Sequence, residues 1–147
     1  MTSEKVPDAS GARPPLATDQ KNRSGKKLTL SLEAGGSGLA MVLHCQGRII
    51  FRDEARELAT IVAQVIPTAG RMVVDLAGVD SVDKGGLGEL VLTQLWAEAS
   101  GYVLTFACPK KSVRHLFEIT NVASVFDIYP SVAEAMLAMA LGEKPHA

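Results

Sequence analysis

Three aspartates and four glycines share one short stretch, Asp75-Leu76-Ala77-Gly78-Val79-Asp80-Ser81-Val82-Asp83-Lys84-Gly85-Gly86-Leu87-Gly88-Glu89-Leu90. Carboxylates gathered at a strand end are where a phosphoaspartate receiver places its acceptor. Glycines at a helix start form a generic anion site, because free N–H groups point outward there. Each chemistry needs companions that this chain lacks. A phosphoaspartate site requires further carboxylates for Mg²⁺, and upstream there is only Glu33, without an adjacent acidic pair; Lys110 is a poor charge partner for such a site. A nucleotide loop requires G-x-x-x-x-G-K-[ST] or a full G-x-G-x-x-G, and neither occurs. His44 reads as a packed or edge histidine on a strand, and His115 as a solvent-facing one. Neither is placed beside Ser or Cys for nucleophilic catalysis, and His146 lies in the tail. Cys45 and Cys108 sit in apolar runs with no C-x-x-C spacing, which reads as buried free thiols rather than redox or zinc chemistry. No enzyme activity, metal or cofactor is expected.

What remains is a shaped turn. An Asp just ahead of a helix accepts hydrogen bonds from the first free helical N–H groups, worth about 1 kcal/mol, and Asp83 is placed to do so. Glycine costs roughly 0.8–1 kcal/mol inside a helix. Gly85, Gly86 and Gly88 therefore weaken the first turn for a reason of geometry: close approach by a partner, or tight packing against a sheet.

The elements that must hold this turn follow from hydropathy. Residues 28–32 alternate apolar and polar as a half-exposed strand. Residues 35–38 make a glycine-rich turn, and 39–45 read as the hairpin partner, broken at Gly47. Residues 52–66 carry apolar side chains every three or four positions, an amphipathic helix ended by Pro67. Residues 71–76 form a strand buried on both faces. A second helix spans 87–100 and is closed by Gly101. Its broad apolar stripe holds Leu90, Val91, Leu92, Leu95 and Trp96, with Trp96 expected in the core and a contact role as the alternative. A strand at 102–108 follows, then a short helix at 112–119 ended by a left-handed Asn121, and a brief strand at 126–129. The capping box Ser131-Val132-Ala133-Glu134 opens a last helix reaching Leu141. The order β-β-α-β-α-β-α-β-α predicts an α/β fold: a mostly parallel, mixed sheet of about five strands packed with about four helices and entered by a hairpin.

Bulk properties agree with one domain. The chain has 147 residues, of which 47% are apolar, 21% charged and only 5% aromatic, so its core is aliphatic. Net charge is −1, which gives no global case for nucleic acid or an acidic membrane surface. Residues 1–26 are rich in Pro, Ser, Gly and charge and read as a disordered tail; 27–141 is the domain, and 142–147 a short frayed end. No run approaches the roughly 18 apolar residues of a membrane span, and the start carries no signal peptide, so a cytoplasmic location is expected.

The pattern Asp-Leu-x-Gly-Val-x-x-Val-Asp-x-x-Gly-Leu-Gly from Asp75 to Gly88 resembles the signature of the STAS family, whose best-known soluble members are bacterial anti-sigma-factor antagonists. The passage Phe126-Asp127-Ile128-Tyr129-Pro130-Ser131-Val132-x-Glu134-Ala135 agrees with it, as does the spacing between the two. The resemblance covers about residues 28–141. It implies a transcription-regulating, signalling module that binds an anti-sigma factor of the histidine-kinase-like ATPase type. In that branch the motif Asp precedes Ser-Ser-Gly or Ser-Ala-Gly, whose second position carries the phosphorylated hydroxyl. Here Asp83 matches the Asp, Lys84 the first Ser, Gly85 the phosphoacceptor and Gly86 the Gly, so the phosphorylation switch has no hydroxyl at its usual place.

The expected partner-binding residues are Asp83, Lys84, Gly85, Gly86, Leu87 and Glu89. Asp83 shapes the turn, Gly85 and Gly86 allow close approach, and Lys84 and Glu89 supply rim charge. Gly86→Arg is expected to abolish binding and spare the fold. The chain is expected to be a monomer or a weak homodimer. The alternative is a structural STAS subunit of a lipid-transport ATPase or of a sensory assembly.

Overall fold

The computed structural model of the chain describes residues 28–35, 40–50 and 53–142. The tail expected at 1–26, all but Gly142 of the tail expected at 142–147, and residues 36–38 of the glycine turn expected at 35–38 lie outside the described residues. Ten elements follow one another: β1 (Thr29–Gly35), β2 (Ala40–Ile49), α1 (Asp53–Ala69), β3 (Arg71–Val82), α2 (Lys84–Ala99), β4 (Val103–Ala107), α3 (Lys111–Ile119), a 3₁₀ turn (Val122–Ser124), β5 (Ile128–Tyr129) and α4 (Val132–Leu141). The five strands lie in the order β1-β2-β3-β4-β5. The first pair is antiparallel and the other three are parallel, which is the predicted mixed α/β sheet.

The continuous apolar run in β3 serves two faces at once. Met72, Val74 and Leu76 join Leu43, Cys45, Leu104 and Phe106 beneath α1, α2 and α3, which contribute Leu58, Val62, Leu90, Val113 and Phe117. Val73 turns the other way and packs with Val42 and Ala107 against Ala135 and Met139 of α4. Each such aliphatic or aromatic side chain contributes roughly 1.5–3 kcal/mol on burial.

Local signals place most helix ends. Ser131 Oγ accepts from the Glu134 N–H at 3.0 Å, and Asn121 takes φ 64° just past α3. Several boundaries differ from the sequence reading: β1 runs on to Gly35 rather than 32, α2 opens at Lys84 rather than 87, and β5 holds only Ile128 and Tyr129 of the expected 126–129. Pro67 lies within the last turn of α1, which closes at Ala69 when the Gly70 N–H donates to the Ile66 carbonyl at 2.7 Å. β2 runs on through Gly47, whose φ of 113° accompanies shifts of register against β3 on either side of it. β3 extends to Val82 rather than stopping near residue 76, because its parallel pairing with β2 continues to Ile49↔Val82.

The stripe assigned to α2 is also corrected. The buried face carries Leu87, Leu90, Gln94 and Ala97, whereas Leu92, Leu95 and Trp96 are exposed, Trp96 at 40%. Apolar residues run around most of this helix, so hydropathy does not identify its inner face. The close seating of Gly86 on β2, described below, sets the helix's rotation.

Candidate functional site

The corner where β3 hands over to α2 is built by Asp83. Its backbone is extended (φ −90°, ψ 176°), its Oδ1 accepts the Gly86 N–H at 2.6 Å, and its carbonyl accepts the Leu87 N–H at 2.8 Å. Its own N–H donates to the Ile49 carbonyl at 3.3 Å, which ties the corner to the end of β2. Asp83 is thus the N-cap that its position predicts.

The six candidate residues divide into two groups. Asp83 and Lys84 are exposed, while Gly85 and Glu89 are half-buried. Gly86 and Leu87 are buried, and Leu87, 5% exposed, belongs to the core. A Cβ on Gly86 would collide with the Ile49 carbonyl oxygen and lie 3.0 Å from its carbon. Gly86 therefore serves the packing of helix on strand, and Leu87 anchors the first turn from inside; both support the turn. Gly86→Arg would displace backbone and disturb the fold, which corrects the expectation that it spares it. At Gly88 an added Cβ meets nothing within 4 Å.

The three aspartates do not share a pocket. Asp80 receives the Lys110 ammonium at 2.6 Å, Asp83 caps α2, and Asp75 lies seven residues before the end of β3. Among the described residues no group of three or more His, Cys, Asp or Glu side chains is placed to hold a metal ion.

One polar arrangement escaped sequence reasoning. Asp75 lies directly across from His44 in the β2–β3 register, and Glu33 reaches the same ring from β1. His44 Nδ1 is 2.6 Å from Asp75 Oδ2 and Nε2 is 2.7 Å from Glu33 Oε1. Carboxylates on both ring nitrogens require two N–H donors, which only the imidazolium has. The hydrogen bonds to Glu33 and then Asp75 accordingly raise the His44 pKa above 6.5, against a smaller opposing effect of burial. Asp75 Oδ1 also accepts the Ala77 N–H at 3.0 Å. The half-buried Cys108, at φ 61°, lies beside Asp75, and its thiol is pushed up by burial and by that carboxylate. Cys45 is buried, and desolvation pushes its thiol up to about 12. Both cysteines are free thiols, but only Cys45 is buried as expected; Cys108 is half-buried. The clasp could be found only from strand register, because no local spacing links residues 33, 44 and 75.

On the outer side of α2, Trp96, Leu92, Thr93 and Glu89 face Ala59 and Ala63 of α1 across a shallow groove of about 240 Å³. The Trp96 and Tyr102 rings meet at 5.8 Å and 48°. Among the described residues no helix is long and apolar enough to cross a membrane.

Comparison with known proteins places this geometry. The STAS domain model matches residues 31–135. A Mycobacterium tuberculosis protein described as an anti-anti-sigma factor is 28% identical over 110 residues, 74% of each chain. A crystal structure of an anti-sigma factor antagonist from Mycobacterium paratuberculosis superposes with a TM-score of 0.62 at 20% identity, covering 76% of this chain and 92% of that one. One from Thermotoga maritima gives 0.60 at 19%, covering 73% and 91%. At such identities the superpositions establish the shared fold.

Proposed function

The chain belongs to the STAS domain family, and on that premise we propose that it is an anti-sigma-factor antagonist whose docking turn works without phosphorylation. Its partner is an anti-sigma factor of the histidine-kinase-like ATPase type, met in the cytoplasm by the corner at Asp83, Lys84 and Gly85 with Glu89 at the rim. The observation that carries this reading is the capped corner itself: Asp83 and Lys84 are exposed at the mouth of α2, and the position that holds a hydroxyl in the antagonist pattern holds Gly85. Phosphorylation would place about −1.5 to −2 charges on such a corner and break a fitted interface; glycine cannot receive them. Binding is then constitutive or governed by another input. Lys84 sets a positive charge at the start of α2, which the helix dipole disfavours by about 0.3–1 kcal/mol, and an acidic group on the partner would offset that.

The experiment uses the anti-sigma factor captured from the native host. Wild type should bind it, take up no phosphate when ATP is added, and stay bound. Gly85→Ser should acquire phosphate and release the partner with ATP. Phosphate on Ser81 or another nearby hydroxyl of the wild type, coupled to release, would remove the phosphorylation-independent reading. Failure to capture any anti-sigma factor would remove the antagonist reading.

The exposed Leu92, Leu95 and Trp96 on α2 favour a second reading, a structural STAS subunit of a lipid-transport ATPase or of a sensory assembly. Capture of a transport ATPase whose binding is lost in Trp96→Ala but retained in Lys84→Glu would select it.

A further inference from the structure

The sheet has two edges, and they are not alike. β5, at one edge, is two residues long; β1, at the other, is seven and among the described residues pairs with β2 alone. An edge strand normally carries Pro, Lys, a bulge or an outward charge to prevent further pairing. β1 reads Thr-Leu-Ser-Leu-Glu-Ala-Gly, with no Pro, Lys or Arg, and its register with β2 is unbroken over all seven residues. Its single charge, Glu33, reaches back over the sheet to the His44 ring on β2 at 2.7 Å. Leu32 is 43% exposed, and it is the one exposed large apolar residue on the described strands; the others are on helices.

We propose that the outer edge of β1 pairs with β1 of a second copy of this chain, antiparallel about a two-fold axis at Leu32, so that one sheet runs through both molecules. The sequence of the strand is self-complementary in that register. Side chains alternate across a strand, so Leu30, Leu32 and Ala34 share one face and Ser31 and Glu33 the other. Antiparallel pairing about Leu32 stacks the two Leu32 side chains, sets Leu30 opposite Ala34, and sets Glu33 opposite Ser31. Centring one residue later would oppose two glutamates, which disfavours that register. A two-fold antiparallel pairing uses the same edge on both molecules and closes as a dimer, with no free edge left for growth on that side.

The other occupant available to this edge is the chain's own N-terminal segment, and its chemistry is unsuited. Residues 17–27 read Ala-Thr-Asp-Gln-Lys-Asn-Arg-Ser-Gly-Lys-Lys, with no wholly apolar side chain larger than alanine; the nearest one able to cover Leu32 is Leu16, which directly follows two prolines. Further back, Pro14 and Pro15 cannot donate to a ladder. The dimer does not rest on the antagonist reading, because β1 lies two strands from β3 and the Asp83 corner stays open.

The test is light scattering on the full chain as its concentration is raised. The expected result is a dimer whose dissociation constant rises by about tenfold or more in Leu32→Lys. Leu92→Lys on α2 should leave it unchanged, and all chains should retain wild-type circular dichroism. Leu32→Cys should cross-link into a covalent dimer under mild oxidation, while wild type, with Cys45 buried and Cys108 half-buried, should not. A monomer at the highest concentration reached, or a dimer indifferent to Leu32→Lys, would overturn the proposal. So would a dimer that forms only after residues 1–27 are removed, which would assign the edge to the chain's own segment.

Discussion

Replacing glycine by alanine at positions 86 and 88, two residues apart on α2, should move stability in opposite directions. At Gly88 the residue is exposed and helical, and an added Cβ meets nothing within 4 Å. The substitution then returns only the helix propensity that glycine gives up, about 0.8–1 kcal/mol. Gly86→Ala is offered the same gain but places its Cβ against the Ile49 carbonyl, with the carbonyl carbon at 3.0 Å and Asp83 Oδ1 at 3.1 Å. Ile49 O is backbone at the end of β2 and cannot rotate aside, so helix and strand must part. Overpacking of this kind costs about 1–3 kcal/mol. Disturbing the Asp83 cap adds about 1 kcal/mol, which roughly offsets the propensity gain. The net result for Gly86→Ala is a loss of about 1–3 kcal/mol. Urea titration with an unchanged slope reads both effects as midpoint shifts, upward for Gly88→Ala and downward for Gly86→Ala. A Gly86→Ala midpoint at or above wild type would refute the reasoning, because position 86 would then have room for a side chain.

Asp83→Ala should cost about 1 kcal/mol in the same titration, whereas Asp83→Asn, still an acceptor for the Gly86 N–H, should lose only part of that; equal stability of wild type and Asp83→Ala would remove the cap. His44, whose pKa is raised in the fold by Glu33 and Asp75, contributes stability that is fully present below pH 6.5 and lost as pH rises through the raised value. His44→Gln should therefore fall furthest below wild type at pH 5.5 and approach it at alkaline pH; a gap that is constant or widens with pH would contradict the clasp. Cys45, buried with its thiol pushed up to about 12, should resist a thiol reagent at pH 8 until the chain unfolds. Peptide mapping that finds it labelled in the native protein would show that the core opens locally.

Much of the fold follows from short-range chemistry. The three-and-four spacing over α1 and the two-faced apolar run of β3 are properties of contiguous residues, and they identify helix and strand without reference to the rest of the chain. The caps are equally local: Asp83 and Ser131 accept from N–H groups three residues on, and Asn121 turns left-handed where α3 stops. The capped corner was legible for the same reason, since an Asp before a glycine-rich helix start is a contiguous pattern.

What lay beyond the sequence depends on which residue faces which across the sheet. In the sequence Gly86 reads as an invitation to a partner or as a fit against a strand, and only the tertiary structure shows the Ile49 carbonyl leaving no room for a Cβ there. That contact in turn fixes the rotation of α2, sending Gln94 inward and Trp96 outward against the hydropathy of both. The Glu33–His44–Asp75 clasp needs two strand registers at once, one antiparallel and one parallel. By itself, then, the sequence determined the elements, their order, the family and the capped corner, because backbone preference and amphipathic spacing act over a few residues. The tertiary structure decided which side of α2 meets solvent, which glycine is filled by a strand, and that three titratable groups far apart in the chain hold one another. Those outcomes are set by contacts between segments that meet only after the sheet has closed.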